Sequence, residues 1–338
     1  MNKIGYSYSD CSIVPAIISK ISSRSQCNPY DENNMLPIFG STMDCVANVN
    51  NQDIWVENKI TPILPRTTVS IEERLKQCLE NDKWIAVSLK EFEKHFIEEA
   101  KNIKIRSICR VCIDIANGHM EYLYNTIDKA KELAKFYSYS LIVMAGNVAN
   151  PKTCEYILRW HNVDYIRLSI GTGNCCITSS NTGIHYPIAS LIKECYKIKK
   201  QYNKDIKIVA DGGIRNYSDV VKALALGADY VMIGSLFGSM KESAAENVYD
   251  DSGRIKEKKI YGMSTKIAQY KINPKNIKTS EGICKTVKSE YSISQWVENM
   301  TAYLKSAMSY CNAKTLSEFI GVPEIIINSY GTMFSVNK

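Results

Sequence analysis

The sequence predicts an α/β fold, a single (β/α)8 TIM barrel carrying an active-site lid. Eight short apolar runs rich in β-branched residues recur along the chain, as expected of parallel strands buried on both faces. Amphipathic stretches with apolar residues at helical spacing separate them. Glycine and polar residues gather at the C-terminal ends of several runs, at 42–44, 114–118, 146–147, 171–178, 211–213 and 234–235. In a barrel these ends converge on one face, where active sites are built. A doubly wound sheet is the alternative, and this repeated clustering disfavours it.

The eight runs are 36–41, 60–64, 84–89, 107–115, 140–145, 165–170, 206–210 and 230–233. Between the fourth and fifth, residues 120–136 place Leu123, Ile127, Ala130 and Leu133 on one helical face. Residues 217–226 read as a helix stopped by Gly227. An N-terminal extension covers about residues 1–35, and residues 293–311 form a final amphipathic helix. The segment 236–292 is polar and rich in Ser and Lys, and it is expected to include a mobile loop over the barrel mouth. No linker or low-complexity tract marks a second domain, so residues 1–338 read as one domain.

The chain has 338 residues, ample for a large core. Its 45% hydrophobic and 23% charged content is that of a soluble globular protein. No apolar run approaches a membrane span, and the N-terminus has no apolar signal core. A cytoplasmic protein with no membrane partner is expected. The net charge of +7 is spread along the chain. Its densest stretch, at 193–204, reads as the solvated C-terminal end of a helix, and no nucleic-acid partner is expected. The 12 cysteines read as reduced thiols. Cys109 and Cys112 form one Cys-x-x-Cys, but in a strand they face opposite sides. No second pair completes a zinc site.

Candidate chemistry centres on residues 171–178. Gly171 and Gly173 allow a sharp turn after an apolar run. Cys176 follows, with the Thr178 hydroxyl two residues on. A thiol at a strand end beside free backbone N–H groups is placed for nucleophilic attack. Cys175 reads as structural. Asp211-Gly212-Gly213 and Gly234-Ser235 end the seventh and eighth runs. Barrels often bind phosphate there, through glycine N–H groups and a following helix N-terminus. The Asp211 carboxylate suits two adjacent ribose hydroxyls. Phosphate, ribose and thiol together point to a nucleotide modified at its base.

The motifs Ser41-Thr42-Met43-Asp44, Asp114-Ile115-Ala116-Asn117-Gly118, Met144-Ala145-Gly146-Asn147-Val148, Gly171-x-Gly173-x-x-Cys176-x-Thr178, Asp211-Gly212-Gly213, Tyr261-Gly262-Met263-Ser264 and Ser280-Glu281-Gly282 occur in consistent order from about residue 8 to residue 310. This set resembles the IMP dehydrogenase/GMP reductase family. The resemblance implies a (β/α)8 barrel, usually tetrameric, acting at C2 of a purine ribonucleotide. Asp114–Gly118 and the stretch 182–187 look more like the reductase branch. The dehydrogenase Arg-Tyr pair is missing from 271–285, and the regulatory modules have no room after the second run. Departures are Thr172, Asn174 and Ser179 in the Cys loop and Pro65-Arg66 after the second run.

By that resemblance Cys176 is the nucleophile, and Thr178 and Glu281 are the acid/base relay. Asp211, Gly212, Gly213, Gly234, Ser235, Tyr261 and Asn174 hold ribose and phosphate, while Gly262, Met263 and Ser264 meet the base. Asp114, Ala116, Asn117, Gly118, Arg66 and Thr182 are implied on the NADPH side. A monovalent-cation (K+) site is implied at Gly171, Gly173 and Cys176. The implied function is NADPH-dependent reductive deamination of GMP to IMP. A dehydrogenase without regulatory modules, or a non-catalytic nucleotide-binding paralogue, stays open.

Overall fold

In a computed structural model describing residues 4–329, eight parallel strands form the predicted barrel. They are β1 (Ile38–Gly40), β2 (Ile63–Leu64), β3 (Trp84–Val87), β4 (Ile108–Ile113), β5 (Ser140–Val148), β6 (Tyr165–Leu168), β7 (Lys207–Asp211) and β8 (Tyr230–Ile233). Each pairs in parallel with its sequence neighbour from β2 to β8, and β8 pairs with β1. A parallel bridge from Phe39 to Thr61 brings β1 against the entry to β2 and completes the ring. Every run read as a strand from the sequence therefore overlaps one, with β5 continuing past its run to Val148 and β7 to Asp211.

Strand alternation sorts the side chains. On β6, Ile166 and Leu168 pack outward into the core shared with the helices. Tyr165 and Arg167 take the intervening positions, and Tyr165 packs against the inner cluster. That cluster also holds Phe39, Ile63, Trp84, Cys112, Met144, Val209, Tyr230 and Met232. Four rings seal the N-terminal end: Phe39 lies 5.5 Å from Trp84, 6.0 Å from Tyr165 and 5.1 Å from Tyr230, centroid to centroid. Cys109 and Cys112 separate as predicted, one into each cluster.

The helices follow their apolar periodicity. Glu121–Phe136 buries Leu123, Ile127 and Ala130. Tyr217–Leu226 stops at Gly227, whose φ is +116°. A Cβ there would lie 2.2 Å from the Tyr196 ring, so glycine is required twice over. The last long helix is Ile293–Tyr310. A short antiparallel pair, Cys11–Ile13 with Ile325–Ile327, ties the two ends of the chain together. Among the described residues, no helix is long and apolar enough to cross a membrane.

One reading gains detail and one changes. The segment 236–292 folds into an antiparallel sheet of β9 (Glu246–Tyr249), β10 (Ile255–Tyr261) and β11 (Cys284–Lys288), with a helix at Lys266–Ile272. Polar residues dominate its strands and hid them, with Lys256 and Lys288 exposed but Lys258 buried. The basic stretch at 193–204 is not wholly solvated, because Lys199 reaches Asp229 at 2.7 Å with both side chains largely covered.

Phe39→Ala removes the ring shared by the other three at the sealed end. The expected loss is about 3–5 kcal/mol of stability, read as a lowered denaturant midpoint with the substrate face intact.

Candidate active site

Strand β6 runs directly into the Cys loop. At Gly171 φ is +76°, and a Cβ would sit 2.4 Å from Ser179 Cβ. Only glycine fits there. Gly173 carries no such demand, since a Cβ would meet only Cys176 Cβ at 3.7 Å. The loop is closed by two hydrogen bonds: Cys176 N–H donates to Gly173 O at 3.0 Å, and Ser179 Oγ donates to Gly171 O at 3.0 Å. Two carbonyls of the implied cation site thus already accept a hydrogen bond each. Cys175 is buried and Cys176 half-buried. The Cys175 Sγ lies 3.6 Å from Ser235 Oγ, and burial pushes its thiol pKa up.

A second segment completes the site from far along the chain. Ile177 N–H donates to Glu281 O at 3.0 Å, and Ile283 N–H donates to Cys175 O at 2.9 Å. Cys176 and Gly282 face each other across an antiparallel bridge. A Cβ on Gly282 would come within 3.0 Å of Cys175 O and of Ser264 Oγ, so the close pairing favours glycine. This docking aligns three side chains. The Cys176 thiol donates to Thr178 Oγ1 at 3.3 Å, and Thr178 Oγ1 donates to Glu281 Oε2 at 2.9 Å. The geometry is a thiol–hydroxyl–carboxylate chain along which a proton can leave sulfur.

Beneath it lies a charged layer that the sequence reading passed over. Arg167, only 5% exposed, donates through Nη2 to Asp211 Oδ2 at 2.8 Å and reaches Asp114 Oδ1 at 3.4 Å. Its Nη1 also contacts Cys112 Sγ at 3.3 Å. Asn147 Nδ2 donates to Asp211 at 2.8 Å, and Thr42 Oγ1 donates to Asp114 at 3.0 Å. Burial opposes the Arg167 charge, but Cys112, Asp211 and Asp114 around it raise its pKa above the usual arginine value. One cation therefore links the acid implied for ribose to the acid implied for the cofactor. A lone arginine in an apolar barrel strand was the available signal.

The remaining residues separate into groups. Gly212 and Gly213 have φ of +93° and +76°, and Thr172 Oγ1 donates to Asp211 O at 3.3 Å. A short helix, Ser235–Gly238, follows Gly234 directly, whereas behind Gly213 the helix Tyr217–Leu226 starts four residues later, with a capping box of Asn216 and Asp219. The N–H groups of Arg215, Asn216 and Asp219 are thereby engaged. Gly234 precedes Ser235 and backs onto Met43, whose Sδ a Cβ would meet at 2.6 Å. The buried Tyr261 turns its hydroxyl toward Asp44 Oδ2 at 3.1 Å, and Lys271 Nζ donates to both, at 2.6 Å and 3.0 Å. Gly262 lies against Cys175, Met263 is half-buried, and Ser264 O accepts from Glu281 N–H at 3.3 Å. Asn174 Oδ1 accepts from Lys285 Nζ at 2.9 Å.

On the opposite rim, Arg66 Nε lies 3.5 Å from Asp114 Oδ2. Ala116 and Asn117 are exposed, and Asn117 Oδ1 accepts from His119 N–H at 3.0 Å. Gly118 is covered by the turn at Gly146: a Cβ would fall 2.6 Å from the Gly146 carbonyl carbon. That glycine is explained by backbone packing. The Thr182 hydroxyl donates to Thr178 O at 2.6 Å and accepts from Ile184 N–H, so it serves its own turn.

The family model described as IMP dehydrogenase / GMP reductase domain matches residues 76–333. The chain belongs to this family. It is 33% identical over 224 residues to a GMP reductase of Onchocerca volvulus, an alignment covering 64% of this chain and 59% of that protein. In this alignment the chain thus spans less than two thirds of its relative's length. A GMP reductase of Staphylococcus saprophyticus is 30% identical over 337 residues, covering 96% of both chains. An inosine-5'-monophosphate dehydrogenase of Methanocaldococcus jannaschii is 26% identical over 276 residues, 78% of this chain and 55% of that one. The family's two branches therefore both align with this chain.

Two outcomes follow from the site's geometry. Alkylation by iodoacetamide at about pH 8, mapped by mass spectrometry, should mark Cys176 and the exposed Cys284 before Cys175. The raised Cys175 pKa keeps it protonated there, and equal labelling of all three would contradict its burial. Arg167→Met leaves Asp114 and Asp211 without their shared cation. It should cost about 3–5 kcal/mol of stability, measured by denaturant unfolding.

Proposed function

We propose that the protein is a GMP reductase, converting GMP to IMP and ammonia at purine C2 with NADPH as reductant. The observation that carries this reading is the aligned chain from Cys176 through Thr178 to Glu281. The Cys176 sulfur bonds to C2, and its thiol proton passes to Thr178 and Glu281. That proton moves on to the departing amine, so ammonia leaves and a Cys176 thioimidate remains. When bound, the reduced nicotinamide supplies a hydride to C2. The C2–S bond then breaks, IMP forms, and Cys176 leaves as thiolate and regains a proton. Splitting the displacement into two easier steps is the gain from covalent catalysis.

Asp211, held from one side by Arg167 and Asn147, is the ribose acceptor. Gly213, Gly234 and Ser235 provide phosphate donors, and Met263 and Ser264 flank the base. Tyr261 acts through Asp44 and Lys271 to fix the Gly262–Ser264 turn. Arg66 and Asp114 fit the nicotinamide side. The Arg66 Nε is buried without a hydrogen-bond partner, and its pairing with Asp114 leaves a cation and a carboxylate together at the rim. Asn117 and Ala116 border them, with Gly118 shaping the turn beneath. Thr182 belongs to the same side by the family reading, with its hydroxyl bonded within its own turn. A homotetramer and a K+ ion at the Cys loop are further parts of the family reading.

Purified protein with GMP and NADPH should lose nicotinamide absorbance and yield IMP and ammonia. Cys176→Ala should abolish turnover. Thr178→Val and Glu281→Gln should lower kcat by about 10²–10⁴-fold. XMP and NADH from IMP and NAD would instead establish the dehydrogenase direction.

A further inference from the structure

The flap strand β11 carries a cation with no assigned role. Lys285 pairs with Ile260 in the antiparallel register of β10 and β11. Directly opposed residues share one face of a sheet. Ile260 is fully buried, and its Cγ2 lies 2.8 Å from where a Cβ on Gly238 would be. The face that bears Lys285 is therefore the one turned onto the turn at Ser235–Gly238. Lys285 Nζ donates to Asn174 Oδ1 at 2.9 Å. Among the described residues it has no ion-pair partner, unlike Lys271 on the same flap, which is held by Asp44. Its charge also reaches the Cys175 thiol, where it opposes the dominant effect of burial. That thiol lies 3.6 Å from Ser235 Oγ. An ammonium held by a neutral amide and by no carboxylate thus stands where the Cys loop, the sheet β9–β11 and the short helix after β8 meet.

Resting on the GMP reductase reading, we infer that Lys285 is a substrate phosphate ligand, exchanging Asn174 for the 5'-phosphate and thereby clamping the flap. An ammonium hydrogen-bonded to a phosphate is stronger than one on a neutral amide. The exchange is favourable only for a substrate that carries the dianion. The consequence extends to the reacting centre because Lys285 and Glu281 belong to one continuous segment. Gly282 and Ile283, between them, are pinned to Cys176 and Cys175. Fixing Lys285 on phosphate holds this segment at its far end, and Glu281 stays against Thr178. Binding energy from the non-reacting phosphate is then used to keep the relay aligned.

The test compares GMP with guanosine, which lacks the phosphate, in binding titrations of the full chain and of Lys285→Met and Lys285→Arg. In the wild type GMP should bind more tightly than guanosine. Lys285→Met should weaken GMP by about 10- to 100-fold and guanosine by less than about twofold, with Lys285→Arg recovering most of the GMP affinity. In steady-state assays Lys285→Met should lower kcat as well as raise KM, since Glu281 is less well held. Equal weakening of GMP and guanosine, or no weakening of either, overturns the inference. So does a wild type that binds both alike. Lys285→Gln gives the same comparison if the methionine variant does not fold. GMP affinity that depends on Lys285 without any turnover of GMP and NADPH would leave this ligand in place and defeat the reductase reading. Turnover indifferent to Lys285 would do the reverse.

Discussion

The site depends on one short backbone pairing, residues 175–177 against residues 281–283. Two N–H donors and one antiparallel bridge join segments more than a hundred residues apart. The Cys loop turns at Gly171 and closes on itself through Gly173 and Ser179, which presents its outer edge to the flap. Gly282 allows the flap to approach without a side chain between the strands. Thr178 and Glu281 meet because their backbones do. A modest set of hydrogen bonds, each worth about 1 kcal/mol net, therefore decides whether a nucleophile has a proton acceptor.

The barrel supplies a rigid base for that pairing. Its lower end is filled by Phe39, Trp84, Tyr165 and Tyr230, leaving the upper end for polar groups. The layer between carries Arg167 flanked by Asp114 and Asp211. Burying three charges is costly unless each is paired, and here the two carboxylates share one cation, helped by Thr42, Asn147 and Arg66. The same network holds both acids at fixed points on the rim, one toward each half of the mouth. Stability and ligand placement are properties of one layer.

The flap differs from the barrel in how it is fastened. Its helix is fixed by Lys271 on Asp44 and Tyr261, and its inner strand ends in the Cys loop contacts. Lys285 rests its amine on the neutral Asn174, whereas Lys258, also on neutral partners, is buried against the carbonyls of Ser243 and Ala245. The sheet β9–β11 is mostly polar, yet one of its faces buries Lys258 and Ile260. A polar lid is thus compatible with regular structure: β-sheet hydrogen bonding organises it, and only a few inward side chains need be specific.

Local pattern alone determined the barrel, the order of its strands and the main helices. Alternation, helical spacing and stop signals are short-range properties that survive in a single sequence. The nucleophile and its turn were legible too, since Gly171, Cys176 and Thr178 are neighbours in the chain. Glu281 entered only through family resemblance, because no local rule links it to Cys176. Arg167 was hidden as one charge in an apolar strand until β4, β6 and β7 placed Asp114 and Asp211 beside it. Likewise, the sheet in 236–292 was masked by its polar composition, and the crowding of Gly118 by Gly146 is visible only in the fold. Sequence fixes which faces are apolar and where the chain turns. Tertiary structure decides which distant polar groups share a space, because that depends on closure of the ring and docking of the flap rather than on any neighbouring residue.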